Sequence, residues 1–235
     1  MMEFFYYEKL SPKDNEIYII GEEFKHLKAF RIQKSDRICI VNGKGLSAFG
    51  YVKDVTKTYY LVKLINFVEN LGEIDTRIAL ALGILDNKER YEFAFEKAVE
   101  FRISEFFPLI TKFTQKNKVD EQRLLKKGIA AMKQSSRSVL PKIHTPINLI
   151  DLMKRFNEYD KVLVFDREGN NFELQDNFNS ILILIGPEGG FAESEIKTLS
   201  RRKKVEVVKI CEYPLRSETA VVAALSLLAR FTSKL

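Results

Sequence analysis

The chain has few of the cysteines and histidines from which zinc sites and disulfides are built. It contains two cysteines, Cys39 and Cys211, and two histidines, His26 and His144. These four residues lie far apart and in no familiar zinc spacing. We therefore expect a reduced protein that binds no metal ion.

Long hydrophobic runs and a targeting segment are missing too. No apolar stretch approaches the ~20 residues that a membrane span needs, and the opening MMEFFYYEKL has no basic region followed by an apolar one. We expect a cytoplasmic protein with no membrane partner. The composition, 46% hydrophobic and 30% charged residues, is typical of a folded chain, and 235 residues suit one large domain or two small ones.

Positive charge is concentrated in one segment. The chain carries a net charge of +6, and residues 111–145 contain nine Lys or Arg against only Asp120 and Glu121. Such a concentration favours a polyanionic partner such as RNA. An ordinary solvated helix face is the alternative interpretation.

Residues 1–71 contain short stretches in which apolar and polar residues alternate, with turn residues between them. This period of two is typical of β-strands and predicts a small antiparallel β-barrel domain. Within it, FKHLKAFRI (24–32) predicts a short helix that carries His26, Lys28 and Arg31. The predicted strands are 16–20, 37–43, 46–55 and 59–68.

From residue 72 to residue 235 the pattern changes to strands that alternate with helices. This alternation predicts one α/β domain with a mostly parallel sheet and helices on its faces. We place the domain boundary at Leu71–Gly72. The predicted strands are 77–85, 105–110, 161–166, 181–185 and 205–210, and the predicted helices are 88–102, 120–138 and 218–231.

One stretch, ILILIGPEGGFAESEI (181–196), predicts a buried strand, a turn with three glycines and a helix start, which is a common ligand site in α/β proteins. The Walker and dinucleotide glycine patterns are both absent. Pro187 removes an amide donor and Glu188 would repel a pyrophosphate, so the turn suits an uncharged or cationic ligand. S-adenosylmethionine has these properties. The alternative is that the glycines only close a tight connection.

A second stretch, ICEYPLRSETAVVAALSLL (210–228), predicts a strand end, a turn and a buried helix. Ser217 is the predicted N-cap, and Glu218 in the first turn suits the positive end of the helix dipole. A simple core helix would explain the alanines equally well, but it would not explain why Arg216 and Glu218 flank the turn.

Together, LIGPEGGF (184–191) and LRSETA (215–220) resemble two signature motifs of the RsmE family. These are bacterial methyltransferases of the knotted SPOUT superfamily, and they act on N3 of a uridine in small-subunit (16S) ribosomal RNA. Three further segments are similar to family motifs in the expected order, so the resemblance covers most of the chain. They are HLKAFRI (26–32), EKAVEF (96–101) and MKQSSR (132–137) with Pro141.

The chain departs from the family pattern at four positions. Cys211 and Tyr213 replace a glycine and a second arginine before the last motif, and Arg102 and Ser35 each stand where the family usually has glycine. These departures put any catalytic role of position 213 in doubt more than they weaken the family resemblance.

The resemblance implies an N-terminal PUA-like RNA-binding barrel and a C-terminal SPOUT domain with a trefoil knot. It also implies a homodimer whose interface involves the last helix, and a methyl donor bound mainly by backbone groups of the two turns. The residues it implies for the donor are Ile185, Gly186, Gly189, Gly190, Ile210, Leu215, Ser217 and Thr219. Those it implies for RNA are His26, Lys28, Arg31, Gln134 and Arg137.

The reaction itself suggests the catalytic residues. Uracil N3 carries a proton and is a poor nucleophile until that proton leaves, so the enzyme must favour the uracil anion. Arg216 is the candidate that donates to a uracil carbonyl oxygen. Glu188 and Glu218 are candidate bases, although Glu218 could serve only the helix dipole.

Two other functions fit the same fold class. One is a SPOUT methyltransferase with another target, such as a ribose 2′-oxygen; the N-terminal barrel and the QSSR segment (134–137) argue against it. The other is a ribosomal-RNA-binding assembly factor that has lost catalysis, and titration with S-adenosylmethionine would separate it from an enzyme.

Overall fold

The structure, a computed structural model, describes residues 2–172 and 178–232. Its contacts divide the chain into two compact units, Met1–Glu73 with Ile129–Leu140, and Ile74–Gly128 with Pro141–Leu235. The sequence patterns did not predict that residues 129–140 pack with the first unit. The domain boundary at residues 71 and 72 stays a prediction.

The first unit contains a curled five-stranded sheet with the strand order β1-β3-β4-β5-β2. The β3–β4, β4–β5 and β2–β5 pairs are antiparallel, as predicted, but β1 pairs with β3 in parallel, and β1 itself was not predicted. The elements are β1 (Glu3–Tyr6), β2 (Glu16–Ile19), α1 (Gly21–Ala29), β3 (Arg37–Val41), β4 (Leu46–Val55) and β5 (Tyr60–Glu69).

The core of this unit follows from the period of two along its strands. Ile17 and Ile19 on β2, like Val62 and Leu64 on β5, point their side chains to the same buried side. Leu27 of α1 is also fully buried against this cluster. Each such side chain contributes roughly 1.5–3 kcal/mol by leaving water, so a shift of register by one residue would expose the whole set.

Two family departures adopt a left-handed backbone. Ser35 has a φ of 75° and Arg102 a φ of 63°. Glycine accepts this conformation without strain, whereas an L-residue pays for contacts of its Cβ atom. At these two positions the backbone therefore has a geometry that glycine favours, with a less suitable residue in its place.

The second unit contains a seven-stranded sheet with the order β12-β10-β11-β6-β7-β8, and β9 also pairs with β7. All of these pairs are parallel. Its elements are β6 (Arg77–Gly83), α2 (Lys88–Glu100), β7 (Glu105–Ile110), β8 (Lys142–Ile143), β9 (Ile147–Asn148), α4 (Leu149–Met153), β10 (Lys161–Asn171), β11 (Ser180–Ile185), α5 (Glu193–Ser200), β12 (Val205–Lys209) and α6 (Ser217–Thr232). Helix α3 (Glu121–Gln134) contains residues of both units.

The central strands of this sheet are buried on both faces. Residues 78–82 of β6 and 181–185 of β11 are all at most 3% exposed, which explains why their sequences are continuously apolar instead of alternating. Because the strands are parallel, the segments that follow β6, β10, β11 and β12 leave the sheet at the same edge. The trefoil knot stays a prediction.

Opposite this edge, the first residues of β6 and β7 belong to a partly buried ion cluster. Arg77 donates from Nε to Glu105 at 2.7 Å, and Nε2 of His144 lies 2.8 Å from the same carboxylate. The hydroxyl of Tyr159 donates to Glu105 at 3.2 Å, and the His144 ring stacks on Phe107 at 3.9 Å.

Among the described residues, no helix is long and apolar enough to cross a membrane.

Candidate active site

A cavity of about 670 Å³ opens at the carboxyl edge of the parallel sheet. It lies between the glycine turn after β11 and the segment that joins β12 to α6. A volume of this size holds a small-molecule ligand. The predicted site residues that line it are Ile185, Gly186, Glu188, Gly189, Gly190, Ile210, Leu215, Arg216, Ser217 and Glu218.

Thr219 is the predicted donor residue that does not line this cavity. It lies in the first turn of α6 with an exposed side chain, and Ala220 contributes to the lining instead. Successive helix residues differ by about 100° around the axis, so the consecutive residues of α6 that follow Ser217 cannot all face the cavity.

The glycine turn is shaped by close backbone contacts. A Cβ atom on Gly186 would lie 2.7 Å from the carbonyl carbon of Gly190, and one on Gly83 would lie 2.3 Å from the nitrogen of Pro187. Glycine is therefore required at both places for the turn to fold against itself and against β6. Gly190 differs, because its φ is +67° and a Cβ atom there would meet nothing within 4 Å. Gly190 is also one of the residues that line the cavity.

Glu188 is exposed at the cavity, and its carboxylate holds a neighbouring loop. Its Oε1 atom accepts a hydrogen bond of 3.1 Å from the backbone N–H of Asp86, which follows β6. This bond connects two segments that the chain separates by about one hundred residues, and the sequence patterns did not predict it. Glu188 therefore has a positioning contact in addition to the predicted role as a base.

Arg216 occupies the cap of α6. The helix begins at Ser217, and the carbonyl of Arg216 accepts from the N–H of Ala220 at 2.8 Å. The predicted N-cap, Ser217, is therefore off by one residue, and the correct cap is Arg216. The Arg216 side chain is exposed at the cavity, and among the described residues no carboxylate lies within ion-pair distance of it.

Glu218 forms an ion pair that sequence reasoning missed. Its Oε1 atom lies 3.6 Å from Nε of Arg90, and the side chain of Glu218 is only 14% exposed. Arg90 belongs to the first turn of α2 and lines the cavity. No sequence motif included Arg90. Because β6 and β11 are parallel neighbours, the helix that follows β6, α2, could have been predicted to begin near the turn that follows β11.

The carboxyl end of β10 supplies further lining residues that were not predicted. Phe165, Asp166, Arg167 and Glu168 all face the cavity, and Arg167 pairs with Glu168 at 3.3 Å. Strand β10 lies next to β11 in the sheet, so its end reaches the same edge. The sequence predicted this strand, but no sequence pattern predicted that residues 165–168 line a cavity.

The residues predicted to bind RNA fall into two groups. His26, Lys28, Arg31 and Gln134 are exposed in the first unit. Arg137, by contrast, is only 1% exposed, and its Nη2 atom donates to Glu73 at 2.7 Å. A buried guanidinium in contact with a carboxylate cannot reach a phosphate unless that pair breaks, so the placement of Arg137 disagrees with its predicted role.

Much of the positive charge in residues 111–145 is balanced locally. Four of its nine basic residues pair with carboxylates, and these pairs are Arg123 with Glu92 at 2.6 Å, Lys127 with Glu96 at 3.2 Å, Lys133 with Glu23 at 2.6 Å and Arg137 with Glu73 at 2.7 Å. The surface that remains basic is therefore smaller than the residue count suggests.

The chain matches two families of known domains. The model of an RNA methyltransferase domain matches residues 73–229, and that of an RNA methyltransferase PUA domain matches residues 19–65. Together they cover most of both units. The fold and the site thus define an RNA methyltransferase.

Curated relatives define the family within this class, and a solved structure shares the fold. The ribosomal RNA small subunit methyltransferase E of Mesomycoplasma hyopneumoniae is 31% identical, over 96% of this chain and 98% of the relative. The protein of the same name from Bacillus subtilis is 26% identical, over 92% and 91%. A solved ribosomal RNA small subunit methyltransferase E from Neisseria gonorrhoeae, bound to S-adenosyl methionine, superposes with a TM-score of 0.85 at 21% identity, with 98% of each chain covered.

The chain belongs to the ribosomal RNA small subunit methyltransferase E family. The family predicted from the glycine turn and the LRSETA motif is thereby confirmed, and so is the α/β fold class with its N-terminal β-domain.

Proposed function

We propose that this protein transfers the methyl group of S-adenosylmethionine to N3 of a specific uridine in the 16S RNA of the small ribosomal subunit. The observation that carries the proposal is one cavity, lined by both signature motifs, in a chain of this family. The solved relative from Neisseria gonorrhoeae holds S-adenosyl methionine, and this is the donor we assign to the cavity.

The residues around the cavity fit such a donor. Ile185 and Leu215 offer apolar surface for a flat adenine ring, and the open side of Gly190 lets a ligand approach the backbone closely. The lining carries acidic side chains such as Glu188 and Asp166 as well as basic ones, so a carboxylate is available to a sulfonium. The proposed donor contacts are Ile185, Gly186, Gly189, Gly190, Ile210, Leu215 and Ser217.

When bound, S-adenosylmethionine supplies an electrophilic methyl group: the N3 lone pair forms the new bond, the carbon–sulfur bond breaks, and S-adenosylhomocysteine is released. The protein must remove the N3 proton and stabilise the charge that remains on the uracil. Arg216, a cation with no described carboxylate partner, is the residue we assign to the charge on a uracil carbonyl oxygen.

The two glutamates are not equivalent as bases. Glu188 is exposed and retains a free oxygen beyond its contact with Asp86, so its carboxylate can accept a proton at the cavity. Glu218 is largely buried, and its carboxylate faces the guanidinium of Arg90 at 3.6 Å. We therefore assign the base to Glu188 and a positioning role to Glu218.

The first unit is the RNA-binding part of this proposal. His26, Lys28 and Arg31 lie on and just after α1 with exposed side chains, and Gln134 ends α3. The cations among them, Lys28 and Arg31, contact phosphates and give binding a steep dependence on salt. Arg137 orders the polypeptide around them through Glu73, instead of contacting RNA directly.

We further propose that the protein is a homodimer through α6. The helix is apolar on most sides and carries Ala220 and Ala223 with partly exposed side chains, and small residues permit close contact with a second copy. Analytical ultracentrifugation of the purified protein tests this, and a monomer at micromolar concentration would overturn it.

The decisive experiment uses ribosomal RNA and 30S subunits from a strain that lacks its own uridine methyltransferase. The purified protein and labelled S-adenosylmethionine should yield N3-methyluridine at one site, identified by mass mapping of nuclease fragments. Methyl transfer to a ribose would identify the 2′-oxygen alternative. Binding of RNA without any transfer would identify an assembly factor.

A further inference from the structure

Two arginines from different elements lie near the start of α6. Arg216 caps this helix, and Arg90 reaches Glu218 in its first turn from α2. Both arginines line the cavity. The sequence motifs contain only Arg216, so the role of Arg90 has to come from the structure.

The guanidinium of Arg90 makes no hydrogen bond to a carboxylate of the described residues, so its N–H donors remain available to a ligand. Its Nε atom lies 3.6 Å from Glu218, which is close enough for electrostatic attraction but too long for a hydrogen bond. Other cavity cations are more tightly paired, since Lys209 lies 2.8 Å from Glu212 and Arg167 lies 3.3 Å from Glu168. Within the described part of the chain, Arg90 and Arg216 are thus the cavity cations whose guanidinium groups make no hydrogen bond to a carboxylate.

The backbone beneath Arg90 is fixed from several sides. The side chain of Asn87 caps α2 by accepting from the N–H of Arg90 at 3.0 Å. Asp86, which precedes Asn87, is held by two hydrogen bonds. Its N–H donates to the Glu188 carboxylate at 3.1 Å, and its carbonyl accepts from Lys116 at 2.5 Å. Arg90 therefore extends from an ordered helix start, as a residue that stabilises a developing charge should.

The chemistry of uracil calls for two separate cations. When N3 loses its proton, the charge spreads over O2 and O4, which lie on opposite sides of N3. A single guanidinium that bonded both oxygens would lie across N3, where the methyl group must arrive. One cation on each side leaves the path to N3 open and stabilises both oxygens.

We propose that Arg90 is a second catalytic residue that donates to one uracil carbonyl oxygen while Arg216 donates to the other. On substrate binding, the guanidinium of Arg90 bonds the uracil oxygen with donors that do not contact Glu218. Glu218 keeps the arginine oriented. This inference rests on the proposed uracil-N3 activity.

The test compares wild type with Arg90→Gln, Arg216→Lys and, as a matched control on the same helix turn, Lys88→Gln. Lys88 is exposed and does not line the large cavity. Each protein is assayed with three RNAs whose target is uridine, 2-thiouridine or 4-thiouridine, because sulfur is a poor acceptor and weakens the bond at one known position. Donor affinity is measured by calorimetry.

We expect Arg90→Gln to lower kcat by about 10²-fold, the scale of one oriented donor to a developing charge, with unchanged donor affinity and an unaffected Lys88→Gln control. Each arginine should be sensitive to sulfur at only one of the two positions. One thio substitution should change the rate of wild type and of Arg216→Lys by the same factor, but that of Arg90→Gln by a different factor. The other thio substitution should change the rate of wild type and of Arg90→Gln by the same factor, but that of Arg216→Lys by a different one.

Two results would overturn the inference. If Arg90→Gln retains full turnover, or if its loss of turnover couples to neither thio position, Arg90 does not donate to a uracil oxygen. Failure of the wild type to form N3-methyluridine would instead refute the proposed function, and this inference with it, so the two failures are distinguishable.

Discussion

The carboxylate of Glu188 accepts a hydrogen bond of 3.1 Å from the backbone N–H of Asp86. The bond joins the glycine turn after β11 to the loop between β6 and α2, at the edge where the cavity opens. Glu188 can thus act as a proton acceptor, as a latch between two segments, or as both.

Substitution separates these two roles of Glu188. Glu188→Gln keeps an oxygen that can accept from Asp86 but cannot take a proton at neutral pH, whereas Glu188→Ala loses both properties. We expect kcat to fall by about 10²-fold in both variants, the scale of one general base, and donor affinity to fall only in the alanine variant. Full activity of Glu188→Gln would show that the residue is a latch alone.

Gly190 tests the donor site, and Gly21 provides its control. Both glycines have positive φ, +67° and +66°, and in both a Cβ atom would meet nothing within 4 Å. Valine at either position should lower the free energy of unfolding by about 2 kcal/mol through backbone strain. Only Gly190→Val should lose S-adenosylmethionine binding in calorimetry. Equal donor affinity in the two folded variants would contradict the assignment of the cavity.

Arg216→Lys separates charge from geometry at the reaction centre. Lysine keeps the positive charge but loses the planar fork, so kcat should fall by roughly 10²-fold while donor affinity barely changes. A higher pH should restore part of the rate, because more uracil then reaches the site as the anion. If Arg216 only shapes the turn, a pH–rate profile and a donor titration will instead show weaker binding with no recovery.

The salt dependence of RNA binding tests the exposed cations of the first unit. Lys28→Gln combined with Arg31→Gln should weaken binding and reduce the slope of log K against log salt by up to about 1.8, since each phosphate contact contributes roughly 0.7–0.9. The control removes two charges from the sheet of the same unit, Lys53→Gln with Lys63→Gln, which both lie near Glu16. An equal change in the control would mean that only net charge matters.

Arg137 should behave differently from these cations. Because it is buried against Glu73, Arg137→Gln leaves a carboxylate without its partner and should destabilise the protein by roughly 3 kcal/mol in urea unfolding, the low end for such pairs. RNA affinity measured below the unfolding transition should change little. A selective loss of RNA affinity at full stability would restore its predicted role as a phosphate ligand.

The ion cluster around Glu105 predicts a loss of stability in acid. Burial lowers the pKa of His144 and outweighs the attraction of Glu105. Burial raises the pKa of Glu105, but hydrogen bonds from Arg77 and His144 outweigh it, so this pKa also lies below its usual value. Both groups therefore bind protons more readily in the unfolded chain than in the folded one.

The sign of the effect is the same for both residues. Their contributions are present above the unfolded pKa values of about 6.5 for His and about 4.3 for Glu, and they disappear as the pH falls through the folded values. We expect the free energy of unfolding to decrease from pH 7 to pH 4. In His144→Gln the part that begins near pH 6.5 should be absent, and an unchanged urea-unfolding profile would contradict this.

Sequence periodicity was sufficient for most elements because burial sets it directly. The alternation in β4 and β5, the apolar runs of β6 and β11, and the apolar helix α6 each report which faces are covered. Strand β1 was missed because its residues, EFFY, place aromatic side chains in a row and do not alternate with polar ones. The two-residue strands β8 and β9 have no period at all.

The site could be predicted only where local backbone requirements leave a trace in the residues. Gly186 and Gly83 are required by contacts that a Cβ atom would violate, and the motif around Gly186 was visible for that reason. Arg137 shows the opposite case. Its segment was recognised, yet its burial against Glu73 depends on a residue that lies 64 positions away, which no local pattern records.

The sequence by itself determined most of the strands and helices, the glycine turn and the family of this protein, because these depend on local geometry and on which faces are apolar. Only the tertiary structure decided that Arg90 reaches Glu218, that Glu188 holds Asp86, and that β10 contributes to the cavity. The order of strands in a parallel sheet is the physical reason. It places the ends of distant strands side by side, and side chains that are far apart in the chain meet only once that order is known.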